Sequence, residues 1–345
     1  MLKRLSRFRA QPMMRLRRDL IDEVGCRTSS DAAEWRLIVK LLRAFDDNAG
    51  YRGGVLAIGN FDGVHCGHQQ MFAALTRQAR ERQVPSVVLT FEPHPIEVLR
   101  PQEAPPRLTT TEQKAELIAD CGVDFLIVYQ TDLRLLNLSP DDFFESVVRG
   151  EVAASGLVEG PNFFFGRNRA GNIKVLEQLC RRDNLTLEIV PPVFVGAQMA
   201  SSSAVRDAVA RGEVDQANDL LGHRYTVRGL VVKGSVRGRT LGFPTANVTH
   251  IATVLPCEGV YAGLVHHNGK GWPAAINLGP NPTFGERRRK FEAHLLGFEG
   301  DLYDQSLDIE LIQRLRDTRP FANVDELKAQ LQADIRNVEA IVKAG

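Results

Sequence analysis

The stretch that most constrains the fold is residues 55–69, which read VLAIGNFDGVHCGHQ. Its first four residues form a short apolar run, the pattern of a buried parallel strand. The next five residues, GNFDG, contain glycines, which occur where a backbone turns sharply or approaches a ligand closely. From about Gln69 to Arg82 apolar residues recur every four positions, which predicts a helix. The stretch therefore predicts a strand, a turn and a helix start, a geometry that binds phosphate on free backbone N–H groups.

Two histidines lie at this turn, His65 and His68. A spacing of three places both imidazoles on the same side of a helical turn. Next to a helix N-terminus, such a pair suits a polyphosphate whose negative charge shifts during reaction, and we expect a catalytic role. A metal pair and a chance pair of surface histidines are the alternatives, although no third His, Cys or carboxylate lies at a helical offset nearby. The candidate phosphate-binding residues of the turn are Gly59, Asn60, Phe61, Asp62, Gly63 and Gly67.

The length of 345 residues is sufficient for two domains, each with its own core. Forty-three basic and forty-two acidic residues give a net charge of +1, so no overall field attracts nucleic acid or an anionic membrane. The longest apolar runs have the length of strands, and no transmembrane helix is predicted. Five scattered cysteines without a CxxC pair indicate a reducing compartment, without disulfides or structural zinc. We therefore expect a cytoplasmic protein.

The first 18 residues contain seven Lys or Arg and no acidic residue. Such a segment is typical of a transit peptide or of a nucleic-acid-binding arm. The simpler expectation is that Met14 is the working start and that the residues before it are a disordered leader. Residues 31–45 have the pattern of a weak amphipathic helix. We assign residues 1–50 to an N-terminal extension that is partly disordered.

Strands and helices alternate through the rest of the first half. Thr109 and Glu112 have the pattern of a capping box at the start of one helix. This alternation predicts a parallel α/β sheet with ligands at the carboxyl ends of its strands. The further strands are expected at residues 86–91, 124–129, 157–160 and 185–190, and the helices at residues 109–121, 139–150 and 172–182.

The pattern changes in the second half. Residues 203–222 predict two short helices that end at Gly212 and Gly222 and form a linker. Short strands separated by Gly, Pro and Asn clusters follow, which predict an antiparallel sheet or barrel. Asn323 and Glu326 cap a final helix, whose apolar stripe would cover the barrel. The strands are expected at residues 225–232, 259–266, 272–277, 290–296 and 307–311.

Residues 200–206, ASSSAVR, combine hydroxyls at a predicted helix N-terminus with an arginine one turn further on. Backbone donors, the hydroxyls of Ser202 and Ser203 and the guanidinium of Arg206 can together bind a triphosphate. Taken alone, the segment is also simply a good helix cap.

The second half has a glycine-rich segment of its own, residues 229–247, which read GLVVKGSVRGRTLGFPTAN. It lacks the P-loop pattern, but its glycines allow the backbone to wrap closely around phosphates. Thr245 and Asn247 are two residues apart, so both oxygens lie on one face of an extended segment, as suits Mg²⁺. A plain glycine-rich hairpin is the alternative. The ATP-binding candidates are Gly234, Arg239, Gly242, Pro244, Thr245 and Asn247.

These motifs resemble one known family. The HxGH signature, here His65-Cys66-Gly67-His68, resembles that of the nucleotidylyltransferases, and GNFDGVHCGHQ is similar to the prokaryotic bifunctional riboflavin kinase/FMN adenylyltransferases (FAD synthetases). The string GRTLGFPTAN resembles the riboflavin kinase signature. The resemblance implies a Rossmann-like nucleotidylyltransferase domain at residues 51–202, a helical linker at residues 203–222 and a riboflavin kinase barrel with a terminal helix at residues 223–345.

The resemblance also implies roles for single residues. Asn162, in EGPNFFFGR, would hold the nucleotide or the flavin, whereas Glu159 departs from the family pattern and the three phenylalanines are alternatively core residues. Glu292 falls at the family's catalytic carboxylate, where it would accept a proton from the attacking hydroxyl. Nothing in the sequence alone distinguishes it from Glu310 or Glu326. The Mg²⁺–ATP residues would be Thr245 and Asn247, and the flavin-binding residues of the kinase would be Asn281, Thr283, Arg316 and Phe321.

By this resemblance the chain is expected to be a bifunctional enzyme of FAD biosynthesis. It would phosphorylate riboflavin with ATP to give FMN, and then adenylylate FMN with a second ATP to give FAD and pyrophosphate. A nucleotidylyltransferase with another substrate and a flavin sensor without turnover are the alternatives. We expect Mg²⁺ as a cofactor, riboflavin, FMN and ATP as small-molecule partners, no nucleic acid or membrane partner, and a monomer or weak homo-oligomer.

Overall fold

Two β-sheets of different kinds build the protein. In this computed structural model we describe residues 39–234, 242–280 and 289–344. A six-stranded parallel sheet occupies the first half, and a closed six-stranded antiparallel barrel occupies the second. Both belong to one compact unit, Ile38–Gly345. The architecture confirms the fold class that the sequence predicts, a parallel α/β sheet followed by a small antiparallel barrel.

The parallel sheet has the strand order β1-β4-β3-β2-β5-β8. The elements of this half are β1 (Lys40–Leu42), β2 (Val55–Ile58), α1 (Cys66–Arg82), β3 (Ser86–Glu92), α2 (Pro95–Leu99), α3 (Thr111–Asp120), β4 (Phe125–Gln130), α4 (Leu133–Leu136), α5 (Pro140–Phe143, continued by a π-helix at Phe144–Glu151), β5 (Gly156–Glu159), β6 (Phe164–Phe165), β7 (Gly171–Asn172), α6 (Ile173–Arg182), β8 (Thr186–Ile189), β9 (Phe194–Val195) and β10 (Gln198–Met199).

Strand β2 is buried on both faces, which explains its uninterrupted apolar sequence. Val55 and Ala57 join the apolar cluster beneath helices α1 and α3. Leu56 and Ile58 join the cluster on the opposite face, beneath α6 and the π-helix. From β2 the chain passes to β3 on one side and, later, to β5 on the other. The strand order therefore reverses at the carboxyl end of β2, where parallel sheets bind their ligands.

The barrel closes in the order β11-β12-β15-β14-β13-β16. Its interior apolar cluster also includes Val205, Val209 and Leu220 of the two preceding helices, so the predicted linker packs against the barrel core. The elements of this half are α7 (Ser202–Arg211), α8 (Val214–Leu221), β11 (Tyr225–Val232), β12 (Ala246–Thr249), β13 (Gly259–His267), β14 (Lys270–Gly279), β15 (Lys290–Leu295), β16 (Ser306–Arg316) and α9 (Val324–Ala344).

Several predicted helix ends are confirmed. Gly212 and Gly222 end α7 and α8 with φ of +79° and +73°, a left-handed conformation that glycine adopts without strain. Asn323 caps α9, because its Oδ1 accepts the N–H of Glu326 at 2.9 Å. No helix in the described ranges combines the length and the apolarity that crossing a bilayer requires.

Two local predictions are wrong. The helix expected at residues 31–45 is, in its described part, the strand β1, and Lys40–Leu42 pairs in parallel with Phe125–Ile127 at the sheet edge. The capping box of α3 is formed one residue later than expected. Gln113 and Thr110 exchange hydrogen bonds of 3.0 and 3.2 Å, since the Thr109 hydroxyl is occupied by the Asp62 carboxylate at 3.0 Å.

Candidate active sites

The turn between β2 and α1 is held in an uncommon backbone conformation. Gly63 has φ of +81°, and a Cβ there would lie 2.8 Å from the Leu108 side chain, so both its conformation and its space require glycine. His65 then occupies the N-cap of α1 without capping it through its side chain. The first N–H groups of α1 consequently face the carboxyl end of β2, where a phosphate can bind them.

The two motif histidines form a stacked pair. The His65 and His68 rings are 3.6 Å apart between centroids and 24° from parallel, and the Phe61 ring meets His68 edge-on at 5.1 Å. The Nδ1 atoms of both histidines are buried and lack a hydrogen-bond partner among the described residues. The part of the chain that the structure describes has no group of three or more His, Cys, Asp or Glu side chains suited to a metal. The pair thus presents buried polar atoms that a bound ligand can satisfy.

Both histidines favour the neutral form. Burial lowers the pKa of His65 to about 4, with Asp62 raising it and Arg206 lowering it further. The pKa of His68 is well below its ordinary value, first because of burial and then because of the charges of His65 and Lys114. A neutral imidazole donates one hydrogen bond, so the pair can donate to phosphate oxygens near neutral pH.

Asp62 connects the turn to the rest of the domain. Its carboxylate accepts the backbone N–H of Leu108 at 3.0 Å and of Thr109 at 3.0 Å. It also pairs with the Arg206 guanidinium at 2.6 Å. These donors link the turn to residues 108–109 and to Arg206.

The segment of residues 200–206 contacts this turn through α7. Ser201 caps the helix, because its hydroxyl accepts the N–H of Ala204 at 3.2 Å. Ser202 donates to the Asp62 carbonyl at 2.8 Å, whereas Ser203 is exposed. Arg206 donates through Nε to the Pro106 carbonyl at 2.7 Å in addition to its pairing with Asp62. The N-terminus of α7 therefore lies beside the turn between β2 and α1.

The loop after β5 is more open. Asn162 is exposed, and no hydrogen bond or ion pair joins it to the histidine turn among the described residues. Phe165 is buried and stacks on Phe163 at 5.4 Å, as core residues do. Phe164 is 44% exposed, and the Arg169 guanidinium lies 4.4 Å from its ring centre.

Glu159, which departs from the family pattern, is a buried carboxyl at the end of β5. Its Oε1 accepts the Ile58 N–H at 2.8 Å. Burial raises its pKa well above the ordinary range, although the bond from Ile58 opposes this shift. It thus ties β5 to the carboxyl end of β2.

A polar row crosses the outer face of the barrel. Asn247 on β12 is the direct register partner of Glu292 on β15, and Glu292 is the partner of Asn277 on β14. Directly paired residues project their side chains to the same face, with Cβ atoms about 5 Å apart. The neighbouring rows, which include Ala246 and Ala293, belong to the interior cluster, so the polar row faces outward. Glu292 is nevertheless 8% exposed.

The glycine-rich segment approaches this row from one side. A Cβ on Gly234 would collide with the Asn247 amide, so glycine is required for Asn247 to occupy its position. Thr245, Pro244 and Gly242 are exposed, and the Pro244 carbonyl lies 2.7 Å from the His294 Nδ1. The candidates Arg239, Asn281 and Thr283 lie outside the described residues.

The other two candidate carboxylates of the barrel have structural partners. Glu310 pairs with Arg224 at 3.0 Å and with His266 at 2.8 Å. Glu326 lies on the terminal helix α9, where its carboxylate accepts the backbone N–H of Ala322 at 3.3 Å. Of these three carboxylates, Glu292 is the one in the row with Asn247.

Arg316 joins the last strand to α9. Its guanidinium pairs with the buried Asp334 at 2.7 Å and lies 5.8 Å from the centre of the Phe321 ring. Arg316 also aligns with Val260, which is the register partner of Asn277. The structure therefore brings Arg316 to the end of the polar row.

Sequence reasoning did not single out one buried residue that contacts the histidine turn. Lys114 on α3 is buried, and its Nζ donates to the Asn60 carbonyl at 2.7 Å. The signal was a lysine next to Ala115, on the face of α3 that also buries Ile118. A charged residue on the apolar face of a helix is rarely buried without a function or a partner.

Comparison with known proteins agrees with this arrangement. The family model described as FAD synthetase matches residues 48–204, and the one described as riboflavin kinase matches residues 221–342. The chain is 37% identical over 299 residues to the bifunctional riboflavin kinase/FMN adenylyltransferase of Escherichia coli strain K12, with 86% of this chain and 96% of the relative covered. It is 35% identical over 286 residues to that of Bacillus subtilis strain 168, with 81% of this chain and 90% of the relative covered.

A crystal structure described as a macrolide-efflux protein from Streptococcus pneumoniae has the same architecture. The two structures superpose with a TM-score of 0.79 at 29% identity, over 88% of this chain and 99% of that chain. This match extends the likeness from the sequence to the arrangement of the sheet and the barrel.

Proposed function

Because the chain belongs to the family of bifunctional riboflavin kinase/FMN adenylyltransferases, we propose that its sheet and its barrel each hold one of the two active sites. The enzyme phosphorylates riboflavin to FMN and converts FMN to FAD, with ATP as the co-substrate of both steps. The residues that carry each step, the metal and the cellular location are our proposals.

In the kinase step, Glu292 acts as the general base. It takes the proton of the riboflavin 5′-hydroxyl as that oxygen attacks the γ-phosphorus of ATP, and the bond to ADP breaks. The support is the register row, which sets Glu292 beside Asn247.

Thr245 and Asn247 would hold Mg²⁺ together with the ATP phosphates. Their hydroxyl and amide oxygens are the hard ligands that Mg²⁺ prefers, and Gly234 leaves room for the Asn247 amide beside them. The ion supplies charge neutralisation on the phosphates. Gly242, Pro244 and Arg239 complete the ATP site in this proposal, while Arg316 and Phe321, with Asn281 and Thr283, bind the flavin.

In the adenylyl step, a phosphate oxygen of FMN attacks the α-phosphorus of ATP, and pyrophosphate leaves. No protein nucleophile is required, so catalysis is positioning and charge stabilisation. Neutral His65 and His68 donate hydrogen bonds to the phosphates beside the N-terminus of α1. Arg206 adds positive charge, and Asn162 contacts the nucleotide or flavin. The unpartnered Nδ1 atoms of the two histidines support this assignment.

We propose domains at residues 51–202 and 223–345, with residues 203–222 as a helical link between them, and a cytoplasmic enzyme that acts as a monomer or weak homo-oligomer without nucleic acid. Within the described part of the chain, Cys66, Cys121, Cys180 and Cys257 form no disulfide, which supports a reducing compartment.

The observation that carries the proposal is that the two family matches fall on two separate sheets, each with its own polar site. The test is incubation of the full chain with riboflavin, ATP and Mg²⁺, with FMN and FAD separated over time. We expect FMN first and FAD afterwards. FMN without FAD would contradict the adenylyl assignment, and flavin binding without any product would favour a sensor.

A further inference from the structure

We propose that Lys114 is a positioning residue for adenylyl transfer, which holds the phosphate-binding turn through the Asn60 carbonyl and provides a buried positive charge behind it. This inference rests on the proposed adenylyl site and adds to it a residue from a different element, helix α3.

Lys114 contacts the turn through the Asn60 carbonyl. The Lys114 Nζ lies 2.7 Å from the Asn60 carbonyl oxygen and 3.5 Å from the Thr90 hydroxyl. Thr90, which is 1% exposed, donates to the same carbonyl at 3.2 Å. Two buried donors therefore converge on one peptide group of the turn. The side chain of the same residue, Asn60, has a buried Oδ1 that lacks a partner among the described residues.

The charged side chain of Lys114 is largely buried. It is only 7% exposed, yet it forms no ion pair within residues 39–234, 242–280 and 289–344. The nearby carboxylates are committed elsewhere, Asp62 to Arg206 at 2.6 Å and Glu92 to Arg107 at 2.7 Å. A buried ammonium without a counter-ion is destabilising. An anionic phosphate on the turn would provide the missing negative charge.

Lys114 also affects the protonation of His68. Burial lowers the pKa of Lys114, Asp62 and Glu92 raise it, and Arg107 lowers it. The charge of Lys114 in turn lowers the pKa of His68, after burial and the charge of His65. If the lysine charge is removed, His68 takes up a proton at a higher pH. Lys114 therefore helps to keep His68 in the neutral form.

Helix α3, which carries Lys114, is anchored to strand β11 of the barrel. Gln113, the residue before Lys114, donates to the Thr226 carbonyl on β11 at 3.1 Å. Glu116, two residues after it, pairs with Arg228 on the same strand at 2.9 Å. The helix is fixed against the barrel on both sides of Lys114. Its ammonium is thus directed at Asn60 by the protein before any substrate binds.

The experiment compares Lys114→Met with wild type as full chains. FAD formation from FMN and ATP and riboflavin phosphorylation are measured in the same preparation. We expect kcat/KM for FAD formation to fall by on the order of 10- to 100-fold, because small displacements of a phosphate site are costly. Riboflavin phosphorylation should stay within about twofold of wild type. The acid limb of the pH profile for FAD formation should move to higher pH, and Lys114→Arg should recover part of the lost activity.

The matched control is Lys40→Met on strand β1. It removes a hydrogen bond of the same type, from the Lys40 Nζ to the Ala49 carbonyl at 2.9 Å. It should leave both activities unchanged. If Lys114→Met does not melt cooperatively, Lys114→Gln replaces it with the same criteria.

Two results would overturn the inference. One is a Lys114 variant that forms FAD within about twofold of wild type. The other is an equal loss in both reactions with an unshifted pH profile, which would indicate a general structural role. Wild-type enzyme that forms no FAD would instead overturn the proposed function, and the inference with it.

Discussion

The Asp62 carboxylate and the Arg206 guanidinium form an ion pair of 2.6 Å that joins the turn between β2 and α1 to helix α7, with only 10% and 13% of their side chains exposed. The same carboxylate accepts hydrogen bonds from the backbone N–H groups of Leu108 and Thr109. One buried side chain thus fixes three segments that are distant in sequence. The turn is organised by the protein before any phosphate binds, which is the condition for preorganised catalysis.

Removal of one partner from this pair should be costly. Arg206→Met leaves the Asp62 charge buried without its cation, and breaking a buried pair costs about 3–5 kcal/mol. The double variant Asp62→Asn/Arg206→Met should lose less than the sum of the two single variants, because it leaves no unpaired charge. Urea unfolding of all four proteins measures this coupling. Additive losses would show that the pair is not coupled.

The histidine pair should be specific to adenylyl transfer. His65→Ala or His68→Ala removes a hydrogen-bond donor from the phosphate site and should slow FAD formation by on the order of 100-fold or more. FMN should then accumulate from riboflavin, since the barrel is unchanged. His250→Ala, which removes an exposed histidine of the barrel half, is the control. FAD formation near the wild-type rate would exclude the pair from the reaction.

The stability of the protein should depend on pH through His65. Its pKa is about 4 in the folded protein, because of burial, against the ordinary 6.5. Between these two pH values His65 is protonated to a greater extent in the unfolded chain than in the folded protein. The free energy of unfolding therefore rises with pH across this range, and the protein loses stability as the pH falls from 6.5 towards 4. The contribution is about 3 kcal/mol.

His65→Gln should therefore flatten the pH dependence of urea unfolding across this window, whereas His250→Gln should not. An unchanged slope in His65→Gln would mean that the histidine titrates alike in both states. His68 acts in the same direction, because burial also lowers its pKa.

Glu292→Gln should impair riboflavin phosphorylation and leave FAD formation intact. The amide keeps the shape of the side chain but cannot take a proton, so riboflavin phosphorylation should fall by about 10²- to 10⁴-fold. Supplied FMN should still be converted to FAD at the normal rate. The matched control is Glu310→Gln, a carboxylate of the same barrel that pairs with Arg224 and His266. Normal kinase turnover in Glu292→Gln would remove this residue from the mechanism.

The first half of the fold was largely predictable because its signals are local. Strand β2 has the bounds that its apolar run predicts, Val55–Ile58, and α6 begins within one residue of the predicted helix at residues 172–182. The strand β1 was missed because three residues at a sheet edge have no periodicity of their own, and their pairing with β4 is a tertiary effect. Thr109 was misassigned because a sequence cannot show that Asp62, 47 positions earlier, binds its hydroxyl.

The sites were predictable only as groups of motif residues. Cross-strand register decides that Glu292 lies beside Asn247, and register depends on the closed barrel rather than on either strand. Lys114 shows the same limit, since its contact with Asn60 spans 54 positions. The turn residues, by contrast, are neighbours in sequence, and the stacking of His65 on His68 follows from their spacing on one helical turn.

Helix α7 serves both halves of the molecule at once. Its Val205 and Val209 lie in the barrel's apolar cluster, while its Ser202 and Arg206 hold Asp62 in the other site. A protease or a gene split that separated the sheet from the barrel would have to cut on one side of this helix pair or on the other. A cut before α7 would deprive the turn between β2 and α1 of its ion pair, and a cut after α8 would expose the apolar face that the barrel covers. The two catalysts are therefore joined by a shared structural part, and neither fragment would keep all its contacts.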